Sequence, residues 1–153
     1  MALSFFETMR GELTDPSGAV HPVDFSVKAE ATHLREFMRD GVAQLTGVVD
    51  AKPWASEALL QGTITIRPLR ERVIAYDLHF PDEEGRACRF RGAKAIRWLW
   101  RPLASFTRLE GELTRADEVI ARGWLRFDLR ELLPFLASWS LRASFREADL
   151  EQA

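Results

Sequence analysis

Lys94 stands in the stretch GAKAIRWLW, with Ile96, Trp98 and Trp100 following at every second position. In an extended chain those four residues share one face. An ammonium on an inward face needs an acidic partner, a water path or an anionic ligand, because burying it alone is costly. Lys94 is therefore the polar anchor expected of an internal site, unless it reaches the rim or pairs with an internal glutamate. Around it, Arg86, Arg89, Arg91, Arg97, Arg101 and Arg108 alternate with Trp98, Trp100 and Phe106. Such a mixture suits acidic groups, and Trp98, Trp100 and Arg101 form the expected partner-binding patch. A net charge of -2 and a pI near 6.0 argue against nucleic acid as the partner, since the phosphate term dominates that affinity.

The usual signatures of catalysis are missing. No serine lies in a Gly-x-Ser-x-Gly elbow, and Cys88 shares strand parity with Phe90, as a small core hydrophobe does. His21, His33 and His79 are scattered singly, without spacing that would aim two imidazoles at one metal. Neither a dinucleotide glycine fingerprint nor a Walker loop occurs. Glu110 with Glu112, and Asp82 with Glu84, are carboxylates on one face or in one turn, which solvated polar edges also produce. The expectation is a non-catalytic protein without metal or cofactor.

The chain of 153 residues is 46% hydrophobic, 10% aromatic and 29% charged, enough for one globular domain without disulfides. Its single cysteine fits a reducing, cytoplasmic setting. The N-terminus MALSFFETMR lacks the pattern of a secretion signal, and no apolar run approaches a membrane span. Charge is uneven: residues 1–66 carry -4, residues 67–108 carry +5 and residues 109–153 carry -3.

Most of the chain reads with a period of two. In VDFSVKAEA, Val23, Phe25, Val27, Ala29 and Ala31 fall on one face against Asp24, Ser26, Lys28 and Glu30. RVIAYDLHF repeats the pattern with Ile74, Tyr76, Leu78 and Phe80, and the turn PDEEGR joins it to ACRFRG as a hairpin. Further strands are predicted over 3–14, 42–50, 59–67, 93–99, 107–115 and 119–129. Several contain an isolated glycine, the mark of a bulge or sharp bend in a coiling sheet. One short helix is predicted over 33–40, capped by Thr32 and stopped at Asp40-Gly41. A second is predicted over 131–142, with Leu132, Leu133, Phe135, Leu136 and Trp139 apolar.

GELT occurs at 11–14 and again at 111–114, each time followed by a turn, an alternating strand and an amphipathic helix. Two such units enclosing two hairpins give about eight strands. The fold expected is mainly β, an antiparallel up-and-down, lipocalin-like barrel with two short helices over 1–145 and a tail over 146–153. A two-sheet sandwich is the alternative.

FFETMRGELT, ALLQGTITIRPL, YDLHFPDEEGRACRFRGAKAI, FTRLEGEL and GWLRFDLRELLPFLASW together resemble the small β-rich accessory domain attached to bacterial flavin oxidoreductases of the glucose-methanol-choline type, the cholesterol-oxidase-like ones. Gly92 and Lys94 match its Gly-x-Lys strand, whereas the flavin domain is absent. The resemblance implies a role beside enzymes of sterols or other lipids. Two functions are expected in that light. In the first, a barrel binds a lipid- or sterol-like molecule between Phe25, Tyr76, Phe80, Phe90 and Phe127, with Lys94 as anchor and the helix over 33–40 covering one mouth. In the second, a solid barrel docks an oxidoreductase, or itself as a homodimer, through Trp98, Trp100 and Arg101.

Overall fold

Alternation decides the interior. Val23, Phe25, Val27, Ala29 and Ala31 are buried, as are Ile74, Tyr76, Leu78 and Phe80, while the residues between them face outward. The computed structural model describes residues 3–67, 73–95 and 106–128. The strands are β1 (Leu3–Thr14), β2 (Val20–Ala31), β3 (Val42–Ala51), β4 (Ala55–Arg67), β5 (Val73–Pro81), β6 (Ala87–Ala95), β7 (Phe106–Arg115) and β8 (Glu118–Asp128), with helix α1 (Leu34–Asp40) between β2 and β3. Each pairs antiparallel with the next, and β8 pairs with β1, closing an up-and-down barrel. The closing ladder joins Met9–Thr14 to Arg122–Phe127, and β6 meets β7 over Cys88–Gly92.

The predicted strands are found with longer ends. β2 starts at Val20, opposite Thr14, and β4 starts at Ala55, opposite Ala51. Pairing with an existing neighbour carries a strand through HPV and ASEA, which show no alternation to predict it. Residues 87–92 and 93–99, read as separate strands, share β6 as far as Ala95, because Gly92 stays in register between Tyr76 and Gly111. The α1 N-cap is His33 rather than Thr32, and its side chain makes no capping bond. At the other end Gly41 adopts φ 71° and its N–H donates to the Phe37 carbonyl at 2.7 Å, as the sequence led one to expect. The helix predicted over 131–142 and the tail over 146–153 lie outside the described residues.

The barrel has two different ends. Short turns at 15–19, 52–54, 82–86 and 116–117 close one; α1 lies at the other. The turn end is stitched by carboxylates. Asp82, its side chain 3% exposed, accepts from the Arg86 N–H and Nε at 2.8 Å, the Glu84 N–H at 2.9 Å and Arg115 Nη1 at 3.1 Å. It is a turn residue with a structural task, not half of a catalytic pair. Asp15 accepts from His21 Nε2 at 2.8 Å and the Ser17 N–H at 2.9 Å, and the His21 ring stands edge-on to Trp54 at 4.9 Å.

These bonds set the acid limit of the fold. The hydrogen bonds from His21 and Ser17 lower the Asp15 carboxyl from 3.8 to about 2, and Arg89 lowers that of Asp77. A carboxylate with a depressed folded pKa stabilises fully above its unfolded value and loses that contribution as pH falls through the folded one. The melting temperature is therefore expected to drop between pH 4 and pH 2, and to drop less in Asp15→Asn. Thermal unfolding followed by circular dichroism across that range checks both statements.

Candidate functional site: a polar pair across the barrel interior

Tyr76 is buried on β5 and Glu7 on β1. In a closed ring of eight, β5 is four strands from β1 in either direction, so the two residues face each other across the interior. The Tyr76 hydroxyl donates to the Glu7 carboxylate, 3.0 Å from each oxygen. Glu7 is 7% exposed and Tyr76 2%. Burial, reinforced by the facing carboxylate, pushes the phenol well above its ordinary value of 10.0, so it stays protonated and keeps donating. The pair is a fixed acceptor-donor couple inside an apolar lumen.

Its surroundings differ on the two sides. Toward the turn end the interior is filled with aromatic rings. Phe25 meets Phe80 at 6.3 Å and Phe90 at 6.0 Å between centroids, and all three are 3% exposed or less. Toward the helix end the inner wall of β2 and β3 carries Ala29, Ala31 and Ala43, with Leu45 opposite Ala29. There α1 packs against both strands and buries Phe37.

The aromatics expected to line an interior site thus divide. Phe25, Phe80 and Phe90 belong to the packed half, and Tyr76 belongs to the polar pair. Lys94 is opposite Ile74 in the β5–β6 register, one inward step from Gly92 toward the helix end, and Phe127 is opposite Met9. The side chains of Lys94 and Phe127, and Trp98, Trp100 and Arg101 altogether, lie outside the described residues.

Glu7 is the residue that sequence reasoning passed over. In LSFFETM it holds the parity of Leu3, Phe5 and Met9, and a carboxylate on an apolar face was the signal that would have found it. Cys88 is buried, and burial together with Asp82 raises its thiol pKa, away from the reactive thiolate.

The outer face holds a second concavity, a groove of about 1260 Å³ across β4 to β8. In it Arg89 binds Asp77 through Nε at 2.7 Å, Arg122 binds Glu112 at 3.2 Å, and the Arg108 guanidinium lies 4.5 Å above the Trp124 ring. Of the arginines of the basic segment, Arg86 and Arg89 pair with acidic neighbours.

The fold and the pair define a class, a closed eight-stranded antiparallel barrel with a polar couple spanning its interior. Compared with protein-family models, with curated proteins and with solved structures, the chain gives no match. Among the described residues no three His, Cys, Asp or Glu side chains come together as metal ligands, and no helix is long and apolar enough to cross a membrane.

Proposed function

We propose that this protein binds a small amphipathic molecule, lipid- or sterol-like, in the half of the barrel beside α1, without transforming it. The observation that carries this reading is the Glu7–Tyr76 bond across the lumen. A polar couple in an apolar interior fixes the orientation of a ligand that is apolar at one end and hydroxylated or otherwise polar at the other. Phe37, buried where α1 packs near β2 and β3, is the side chain such a ligand would displace, with α1 as the cover that yields. Lys94, on the same inward row as Ile74, is the proposed second anchor.

Titration with fluorescent fatty-acid and sterol probes tests this. Saturable binding is expected, weakened about tenfold in Tyr76→Phe and in Glu7→Gln, the scale of one buried hydrogen bond. Absence of saturable binding, or unchanged affinity in both variants, overturns the reading.

The packed rings of Phe25, Phe80 and Phe90 favour a second reading, a solid barrel that docks an oxidoreductase or another copy of itself through Trp98, Trp100 and Arg101. Trp98→Ala and Arg101→Glu should then weaken association measured by light scattering and co-purification, with folding intact. Unchanged association in both removes it.

A further inference from the structure

The outside of a small barrel is ordinarily convex, yet here a groove of about 1260 Å³ lies on it. Gly92, Gly111 and Gly123 occupy directly opposite positions on β6, β7 and β8, so three neighbouring strands lack side chains on one inward row. The Phe90 ring packs inside against Gly111, where a Cβ would lie 2.5 Å from its Cζ. On the outer side, Thr65, Ala75 and Ala93 are directly opposite one another on β4, β5 and β6, giving the groove a floor of small residues.

The walls are charged but balanced. Arg89, Arg91, Arg108 and Arg122 face Asp77, Glu110, Glu112 and Asp117 in the same lining, four of each sign. Two of the arginines are matched within it, Arg89 to Asp77 and Arg122 to Glu112. Among the described residues Arg91 forms no ion pair within bonding distance, and Arg108 is stacked on Trp124.

That composition discriminates between occupants. A lining with no net charge selects neither an anion nor a cation. An apolar occupant would desolvate eight charged groups without replacing their hydrogen bonds. An added β-strand could pair only beyond Gly92 and Gly111, where the described β6–β7 ladder ends, and its main chain would use none of the charged side chains of the walls. The charged walls instead favour a neutral ligand rich in groups that both donate and accept. Guanidiniums donate in a planar fork, carboxylates accept, and threonine hydroxyls do either. We infer that the groove on the outer face of β4 to β8 is a binding site for a neutral carbohydrate chain, its hydroxyls held by Arg91 and Glu110 and one sugar ring resting beside the Arg108–Trp124 stack.

The site is independent of the lumen, and the test keeps the two apart. The purified protein is screened on an array of neutral and acidic oligosaccharides, and hits are measured by titration calorimetry. Binding of a neutral oligosaccharide is expected, weakened at least tenfold by Arg91→Ala and by Trp124→Ala, little changed by 0.5 M salt, and unaltered in the lumen variant Glu7→Gln. Both groove variants are checked for an unchanged circular dichroism spectrum, and Glu110→Gln supplies a third, near-isosteric probe. No neutral oligosaccharide bound at millimolar concentration, binding confined to acidic glycans and abolished by salt, or affinity unmoved by all three substitutions would each overturn the inference.

Discussion

Replacing Gly123 by alanine is expected to lower the melting temperature by about 10 °C or to leave the protein insoluble. Gly123 on β8 and Gly11 on β1 sit where the last strand meets the first. A Cβ at Gly123 would fall onto the Glu12 carbonyl oxygen, and one at Gly11 onto that of Trp124. Both collisions are with backbone, which cannot swing aside as a side chain can. One methyl group therefore separates β1 from β8 at the seam that closes the barrel, and the ladder joining Met9–Thr14 to β8 is lost with it. Forced overpacking against backbone costs about 3 kcal/mol or more, which in a domain of this size amounts to about 10 °C. Arg122→Ala, one residue away and 71% exposed, should move the transition by no more than about 2 °C. A Gly123→Ala protein melting within 2 °C of the parent would mean that the seam is not held as described.

Phe25→Ala is the second large effect, expected at about 3–5 kcal/mol. Phe25 is fully buried and is the ring that Phe80 and Phe90 both contact. Its removal opens a void between two rings that are themselves fixed on β5 and β6. The size of the loss reports whether the turn-end half is solid. Chemical denaturation should give a lower midpoint with an unchanged slope. A loss below about 1 kcal/mol would show that this half already contains space, and would move the ligand region away from α1.

How much of this was legible in the sequence depends on which force decides each feature. The inward rows of β2 and β5 follow from alternation, because one face of a strand meets the core whatever its neighbours do. The eight-stranded closed barrel follows from the same alternation, from the repeated glycines and from the two GELT units; the first unit is β1, β2 and α1 as read, and the helix of the second falls outside the described residues. The starts of β2 and β4 were not legible, since pairing with β1 and β3, rather than any local pattern, extends them. Thr32 failed as a cap because the chain turns into the helix one residue later, at His33.

The site was half legible. Tyr76 was found by parity, but a tyrosine on an inward row does not reveal its partner, and Glu7 lies 69 residues away in the chain. Only closure of the ring sets β1 opposite β5 and brings them together. The outer groove was not legible at all. Arg91 and Glu110 each read as a solvated position, Trp124 carries no signal of its own, and their convergence depends on the three-glycine row that register alone places side by side.

The central claim is that the interior beside α1 takes up an amphipathic molecule held by Glu7 and Tyr76, and native mass spectrometry of the purified protein tests it most directly. The account predicts a stoichiometric adduct, retained from expression or acquired from a panel of fatty acids and sterols, released on denaturation, and lost or weakened in Tyr76→Phe. A clean apo mass that takes up nothing from that panel would contradict it.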